Sequence, residues 1–396
     1  MPLGIYISVP FCRSKCTYCN FASGVFSNTH MGHYVDRICT DIVKIRKVAT
    51  DHRAVAPDPV DSIYLGGGTP SLLPPDQLTR LFAAIAQQFN IAPQAEITVE
   101  CAPGTLTEPI VQSLVACGVN RVSLGVQSFI DKEAASVARL HTREKTLADI
   151  ERLRSAGIRN INLDLIAGLP HQTRASWNES LQQAIATGVP HLSVYILEVD
   201  EDSRLGRELI AGGTKYHAHF VPEDDLTAEF YETACTWLNA NGAQQYEISN
   251  FARRGFESQH NLKYWTRQPY LGFGVDAHSM LPATEGAESV RLATTDSFEH
   301  FFVEAEIKAV RVSAAEALEE SFFLGLRLNR GVHLDQLHEQ FGPELNRYKP
   351  IITELAGEGL LLQTGNVLQL TPRGRLLSNE VFEKFIQEPA STVLSR

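Results

Sequence analysis

Residues 12–21 read CRSKCTYCNF, and the meaning of that stretch decides how the rest of the chain is read. Cys12, Cys16 and Cys19 follow the spacing C-x3-C-x2-C, and Phe21 stands where a fourth cysteine could be expected. Thiolates are soft ligands that favour zinc or iron–sulfur clusters. A closed zinc tetrahedron needs four ligands, so His30, His33 or a distant residue would have to complete it. A cubane [4Fe–4S] cluster normally takes one cysteine per iron, so three cysteines leave one iron with an open position. An open position is what a metal needs to bind a ligand directly. Three incidental core cysteines fit poorly, because Arg13, Ser14, Lys15 and Thr17 between them are polar.

The surrounding chain limits the setting. Its 396 residues allow one large domain and a smaller one, and 44% hydrophobic content supports a sizeable core. A formal net charge of −11 argues against general nucleic-acid binding and against docking on anionic membranes. The N-terminus MPLGIYISVPFC lacks the features of a secretory signal. No apolar run approaches the roughly 20 residues of a membrane span, so no transmembrane segment is expected. Seven cysteines are an odd number without disulfide-scaffold density, which points to a reducing, cytoplasmic setting.

The first two thirds alternate strand-like runs with amphipathic helical stretches. Strands are expected at Leu3–Val9, Ser62–Leu65, Glu96–Glu100, Arg121–Leu124, Asn160–Ile166 and His191–Leu197. Helical spacing marks DQLTRLFAAIAQQF, EPIVQSLVACG and SWNESLQQAIATG, the last two stopped by glycine. Repeated βα units imply an α/β fold with a parallel sheet, as an open or closed barrel. Chemistry in such barrels sits on loops after the strands. CRSKCTYC, GGGTP, ECAPG, GVQSF and DLIAGLP all fall there. A helix is expected in EDDLTAEFYETACTWLNANG, followed by an aromatic- and histidine-rich stretch. From about residue 311, three helices and the hairpin LLLQTGNVLQLTPRGRLL form a winged-helix pattern. Without a basic excess, it reads as a packing or lid module rather than a DNA reader.

CRSKCTYC resembles the cluster loop of the radical S-adenosylmethionine (SAM) superfamily. The resemblance implies a partial, TIM-like (β/α)6 barrel and a [4Fe–4S] cluster on Cys12, Cys16 and Cys19. SAM would be chelated at the open iron. YLGGGTP resembles the loop that meets the methionine amino group, which implicates Gly67, Gly68 and Thr69. Glu100 would lie near the ribose or amino end. Asp164, in an apolar strand, would be costly to bury without a partner. Similarity to the oxygen-independent coproporphyrinogen III oxidase family adds Tyr6, Gln127, Arg139 and Asp164 to the SAM site. Two positions depart from that family: Ser8 replaces the usual histidine of its first strand, and Ala102 replaces the asparagine of ECNPG.

Two branches of that family differ after the third cysteine. The decarboxylating oxidases resemble C-x3-C-x2-C-x-C and carry a long N-terminal extension, whereas here Phe21 fills that position and eleven residues precede Cys12. The haem chaperone branch has phenylalanine there and an H-N-x-x-Y-W motif linked to haem, matched by HNLKYW at residues 260–265. Neutral imidazole is a good haem ligand, and aromatic neighbours suit a flat macrocycle. The resemblance therefore implicates His260, Tyr264 and Trp265 in haem contact. Read without it, His260 is a histidine satisfied by a backbone carbonyl.

The expected protein is a cytoplasmic haem chaperone that binds haem, a [4Fe–4S] cluster and SAM, and delivers haem to acceptor haemoproteins. An electron donor would serve the cluster, and no residue is assigned a catalytic role. The alternatives are a coproporphyrinogen III oxidase and a zinc-stabilised binding protein. Domains are expected at 1–235 (barrel), 236–310 (haem motif and linker), 311–386 (winged-helix-like) and 387–396 (flexible tail). Cys39, Cys101, Cys117 and Cys235 read as small buried hydrophobes.

Overall fold

The computed structural model describes residues 1–286, 288–303 and 307–386, so the expected tail lies outside the described residues. Six strands, β1 (Leu3–Val9), β2 (Val60–Gly67), β3 (Ile91–Cys101), β4 (Arg121–Gln127), β5 (Asn160–Ala167) and β6 (His191–Ile196), pair in parallel and in chain order. They coincide with the six runs read from the sequence. The connecting helices are α1 (Asn28–Asp51), α2 (Pro75–Gln88), α3 (Glu108–Ala116), α4 (Asp131–Ser136), α5 (Arg143–Ser155) and α6 (Arg174–Ala186).

The sheet stays open. Beyond β6 lie α7 (Arg204–Ile210), α8 (Asp224–Ala240), β7 (Gln244–Gln245), β8 (Asn250–Ala252) and α9 (Gln259–Trp265), and β8 pairs antiparallel with β6. On the other edge β9 (Tyr270–Phe273) runs parallel to β1 and leads into an antiparallel series. That series is β10 (His278–Pro282), β11 (Ser289–Ala293) and, after α10 (Phe298–Val303), β12 (Lys308–Val312). The segment 236–310 is therefore woven into the main sheet. Each edge is covered by other strands, which hides backbone that would otherwise be free to pair.

Alternation sorts the six strands into two faces. Leu3, Ile5, Ile7 and Val9 of β1, with Ile63, Leu65, Val99, Val122, Leu163 and Val194, are fully buried in the main core. α1 supplies Met31, Tyr34, Val35, Ile38, Ile42, Ile45 and Ala49 to the same core, spaced as one helical stripe. The opposite face is polar where a closed barrel would be filled by branched aliphatics. It carries Tyr64, Glu100, Arg121, Asn162, Asp164 and Ser193, all lining one cavity.

After α11 (Ala314–Gly325), a second hydrophobic cluster holds a separate unit of β13 (Val332–His333), α12 (Leu334–Phe341), α13 (Lys349–Gly357), β14 (Leu361–Thr364), β15 (Val367–Leu370), α14 (Pro372–Leu376) and α15 (Ser378–Glu383). Its strands form a small antiparallel sheet in the order β13-β15-β14. Arg267 and Arg291 of the main unit both bond Glu320 on α11, at 2.8 and 2.7 Å. No helix among the described residues is long and apolar enough to cross a membrane.

Candidate functional site

The cysteine loop leaves β1 at Pro10 and is closed at its neck. Cys12 N–H donates to Gly24 O and Gly24 N–H to Pro10 O, both at 2.8 Å. Within the loop, Cys16 is buried while Cys12 and Cys19 are half-buried, and all three are free thiols. Arg139 Nη1 lies 3.5 Å from Cys16 Sγ, and Thr69 Oγ1 3.9 Å from Cys12 Sγ. Burial pushes the Cys12 thiol up, so its ionisation calls for a nearby positive charge.

GGGTP, after β2, lies directly against this neck. Gly68 N–H donates to Val9 O at 2.8 Å and Thr69 N–H to Phe11 O at 2.7 Å. A Cβ on Gly68 would stand 2.7 Å from Val9 O and 2.8 Å from Phe11 O, so only glycine fits. Gly67 has φ +98°, a conformation glycine adopts freely. Its N–H donates to Glu100 Oε2 at 3.1 Å, and Tyr64 Oη donates to Glu100 Oε1 at 2.8 Å.

Glu100 and Asp164 face one cavity of about 400 Å³ that opens beneath the cysteine loop, a size within the usual range of ligand sites. Burial, and then the Asp164 charge, push Glu100 up to about 7. Asp164 is also raised by burial, although Ser123 Oγ at 2.9 Å and Asn162 Nδ2 at 2.8 Å donate to it. Two carboxylates pressed toward their neutral forms would be relieved by a cationic ligand. A bulge in β4 leaves Gln127 at φ +67° with its side chain lining the cavity. Among the described residues, Gln127 Oε1 and Arg139 Nε are buried without a hydrogen-bond partner.

Of the residues implicated at the sequence level, Cys12, Cys16, Cys19, Gly67, Gly68, Thr69, Glu100, Gln127, Arg139 and Asp164 all border this cavity. Tyr6 sits one layer behind, its ring 6.1 Å from Tyr64. The Ser8 hydroxyl would lie 3.2 Å from a Cβ on Gly67, and Ala102 lines the cavity wall. Sequence reasoning missed Tyr64, Arg121, Asn162 and Ser193. Their signal is polar residues two apart within otherwise apolar strands.

HNLKYW forms α9, which is held beneath the barrel, at the strand starts. Glu96 accepts from the Gln259 and His260 N–H groups, both at 3.1 Å, and Lys263 Nζ pairs with Asp61 at 2.6 Å. His260 is buried with both ring nitrogens engaged, Nδ1 with Ser62 Oγ at 3.0 Å and Nε2 with Tyr264 Oη at 2.9 Å. Burial lowers it to about 3, so it is neutral. Its partners are side-chain hydroxyls, not the backbone carbonyl expected from sequence alone. Trp265 lies under Arg327, 4.3 Å from the guanidinium. Asn261, from the same helix, reaches the cavity from below.

Three thiols on the loop after the first strand of an open, polar-lined half barrel define the radical SAM class of protein. The comparisons agree: residues 6–184 match the Radical SAM superfamily and residues 312–377 the HemN C-terminal domain. The chain is 32% identical over 392 residues to a protein of Lactococcus lactis named Heme chaperone HemW, with 97% of each chain covered. A Bacillus subtilis protein of the same name is 33% identical, covering 97% of this chain and 99% of that one. The solved coproporphyrinogen III oxidase HemN of Escherichia coli, described as a radical SAM enzyme, superposes with a TM-score of 0.82. That match covers 97% of this chain and 90% of HemN at 23% identity, a likeness of fold. The chain belongs to the HemN/HemW-like family of the radical SAM superfamily.

The residues present fit a cluster carrying a cationic ligand. Among the described residues, no three His, Cys, Asp or Glu side chains converge on a single metal ion. A cubane does not require this, because it spreads its thiolates over separate irons. The orphaned Gln127 and Arg139 atoms and the two raised carboxylates provide polar contacts for a ligand beside it.

Proposed function

We propose that this chain is a cytoplasmic haem chaperone that takes up haem and delivers it to acceptor haemoproteins. The observation that carries the reading is sustained identity, over 97% of the chain, to two proteins that bear that name. Phe21 supports it: a phenylalanine, 62% exposed, stands at the cavity edge where the oxidase pattern has a fourth cysteine.

Cys12, Cys16 and Cys19 would hold a [4Fe–4S] cluster, leaving one iron for SAM. Tyr6, Gly67, Gly68, Thr69, Glu100, Gln127, Arg139 and Asp164 would hold SAM. A bound cluster supplies a site for chelation and one-electron chemistry. The protein's own part is to orient the ligand with the unpaired Gln127 Oε1 and Arg139 Nε and to balance its charge with Glu100 and Asp164. His260, Tyr264 and Trp265 would form the inner haem contact, and direct ligation by His260 Nε2 would require release of the Tyr264 bond. The unit from residue 311 to 386 is read as winged-helix-like, on the support of its helices and hairpin, and serves as a packing module. The segment 236–310, which adds strands to both edges of the barrel sheet, carries the haem motif. An electron donor for the cluster and haem acceptors are the partners, and with a net charge of −11 no nucleic-acid role is assigned.

Anaerobic reconstitution followed by iron, sulfide and haem titration tests the proposal. It predicts a cluster that is lost in Cys16→Ala, and stoichiometric haem uptake by the wild type. Zinc at one per chain, without iron or sulfide, would overturn it.

A further inference from the structure

On the rim, outside the cavity, two loops bring four rings together. His171 follows β5, and His217, His219 and Phe220 follow α7 in a short turn at Lys215–Phe220. His171 Nε2 lies 3.0 Å from His217 Nδ1, and the Phe220 ring is 4.0 Å from both the His171 and His219 rings. His171 N–H also donates to Phe220 O at 2.9 Å, which fastens the two loops.

The backbone holds this arrangement at a cost. His171, Tyr216 and His217 have φ of +69°, +54° and +60°. Each is an uncommon conformation for a residue with a side chain, of the kind found at ligand sites. His217, Tyr216 and Phe220 are nevertheless exposed, and only Ala218 of this turn is buried.

An imidazole pair sharing one hydrogen bond has a defined chemistry. Whichever ring donates, one outward nitrogen keeps its lone pair, and the partner ring fixes the ligand's orientation as a second ligand shell does. A bare ion would need more ligands than the described residues bring together. Porphyrin iron carries four ring nitrogens of its own and needs only an axial protein ligand. The partly exposed Tyr216 and Phe220 rings, already packed against Arg204 and the histidines, add an apolar edge beside His217, and Lys132, Lys215 and Arg204 bring positive charge for the porphyrin's propionates.

We propose that His217, oriented by His171, is an exposed haem-iron ligand on the barrel rim, a docking site distinct from HNLKYW from which haem is handed over. The inference rests on the haem reading above. A cargo released by contact with an acceptor must be reachable, whereas the His260 side chain of α9 is buried. Arg204 connects this patch to the cluster loop: its guanidinium lies over the Tyr216 ring at 5.5 Å and donates to Lys15 O. Leu205 N–H donates to Thr17 O at 2.8 Å.

The full-length, anaerobically reconstituted protein is titrated with haem as wild type, His260→Ala, His217→Ala and the double variant, reading the Soret band and affinity. His260→Ala is expected to keep an imidazole-ligated Soret band that the double variant loses, with affinity at least tenfold weaker. His217→Ala alone is expected to slow transfer of haem to apomyoglobin severalfold, and His171→Gln, which keeps an acceptor for His217, to lose less than His171→Ala. A double variant indistinguishable from His260→Ala overturns the rim site and leaves the haem reading standing. A wild type that takes up no haem overturns both.

Discussion

Glu100 couples the cavity's electrostatics to stability. Its pKa is raised to about 7 from 4.5, chiefly by burial and then by Asp164. The folded chain therefore holds a proton that the unfolded chain has released between those values. The stabilisation is complete below the unfolded pKa and is lost as pH rises through the folded one. Denaturant unfolding of the apoprotein should show stability falling from pH 5 to pH 8, by up to about 3 kcal/mol. Glu100→Gln should flatten that decline, and an unchanged slope would remove Glu100 from the account. Gly68→Ala should cost about 1–3 kcal/mol by calorimetry or denaturation, because the new methyl meets backbone on two sides. At this scale the thiols were legible because their spacing is local. Tyr64 and Arg121 were not, because they meet Glu100 and Glu96 only through the parallel register of β2, β3 and β4.

At the level of elements, α9 is a plug whose hydrogen bonds resemble those of a core helix. His260→Ala strands Ser62 Oγ and Tyr264 Oη, so a loss of about 1–3 kcal/mol is expected. The same variant should weaken haem binding and leave the cluster spectrum intact, and unchanged haem affinity would count against the motif. Tyr264→Phe frees His260 Nε2 and should tighten haem binding severalfold if that nitrogen meets iron, read by the same titration. The six barrel strands were legible as β-branched runs between helical repeats. The long α1 is legible too, in the apolar stripe from Met31 to Ala49. β9 to β12 were not: Tyr270–Phe273 gains its place in the barrel sheet by pairing with β1, at the start of the chain. A contact of that range leaves no local pattern.

Over the whole molecule, the barrel and the C-terminal unit meet at Glu320, which accepts from Arg267 and Arg291 and is 11% exposed at its side chain. Removing the carboxylate leaves two guanidinium groups facing one another. Glu320→Ala should cost about 3 kcal/mol and raise amide exchange in residues 312–386 ahead of the barrel. Uniform exchange across both units would show that this contact does not join them. Trp265, Arg327 and Glu247 meet at the same junction, so the floor of the barrel and the C-terminal unit are one connected structure. On the proposed reading, a barrel whose residues fit cluster and SAM carries haem as cargo instead of decarboxylating a porphyrinogen. The most direct test of that reading supplies the reconstituted protein with SAM, a reductant, haem and coproporphyrinogen III, and follows haem uptake and carbon dioxide release together. The account predicts haem bound in stoichiometric amount with the porphyrinogen unchanged, and SAM-dependent loss of its propionate carboxyls would contradict it.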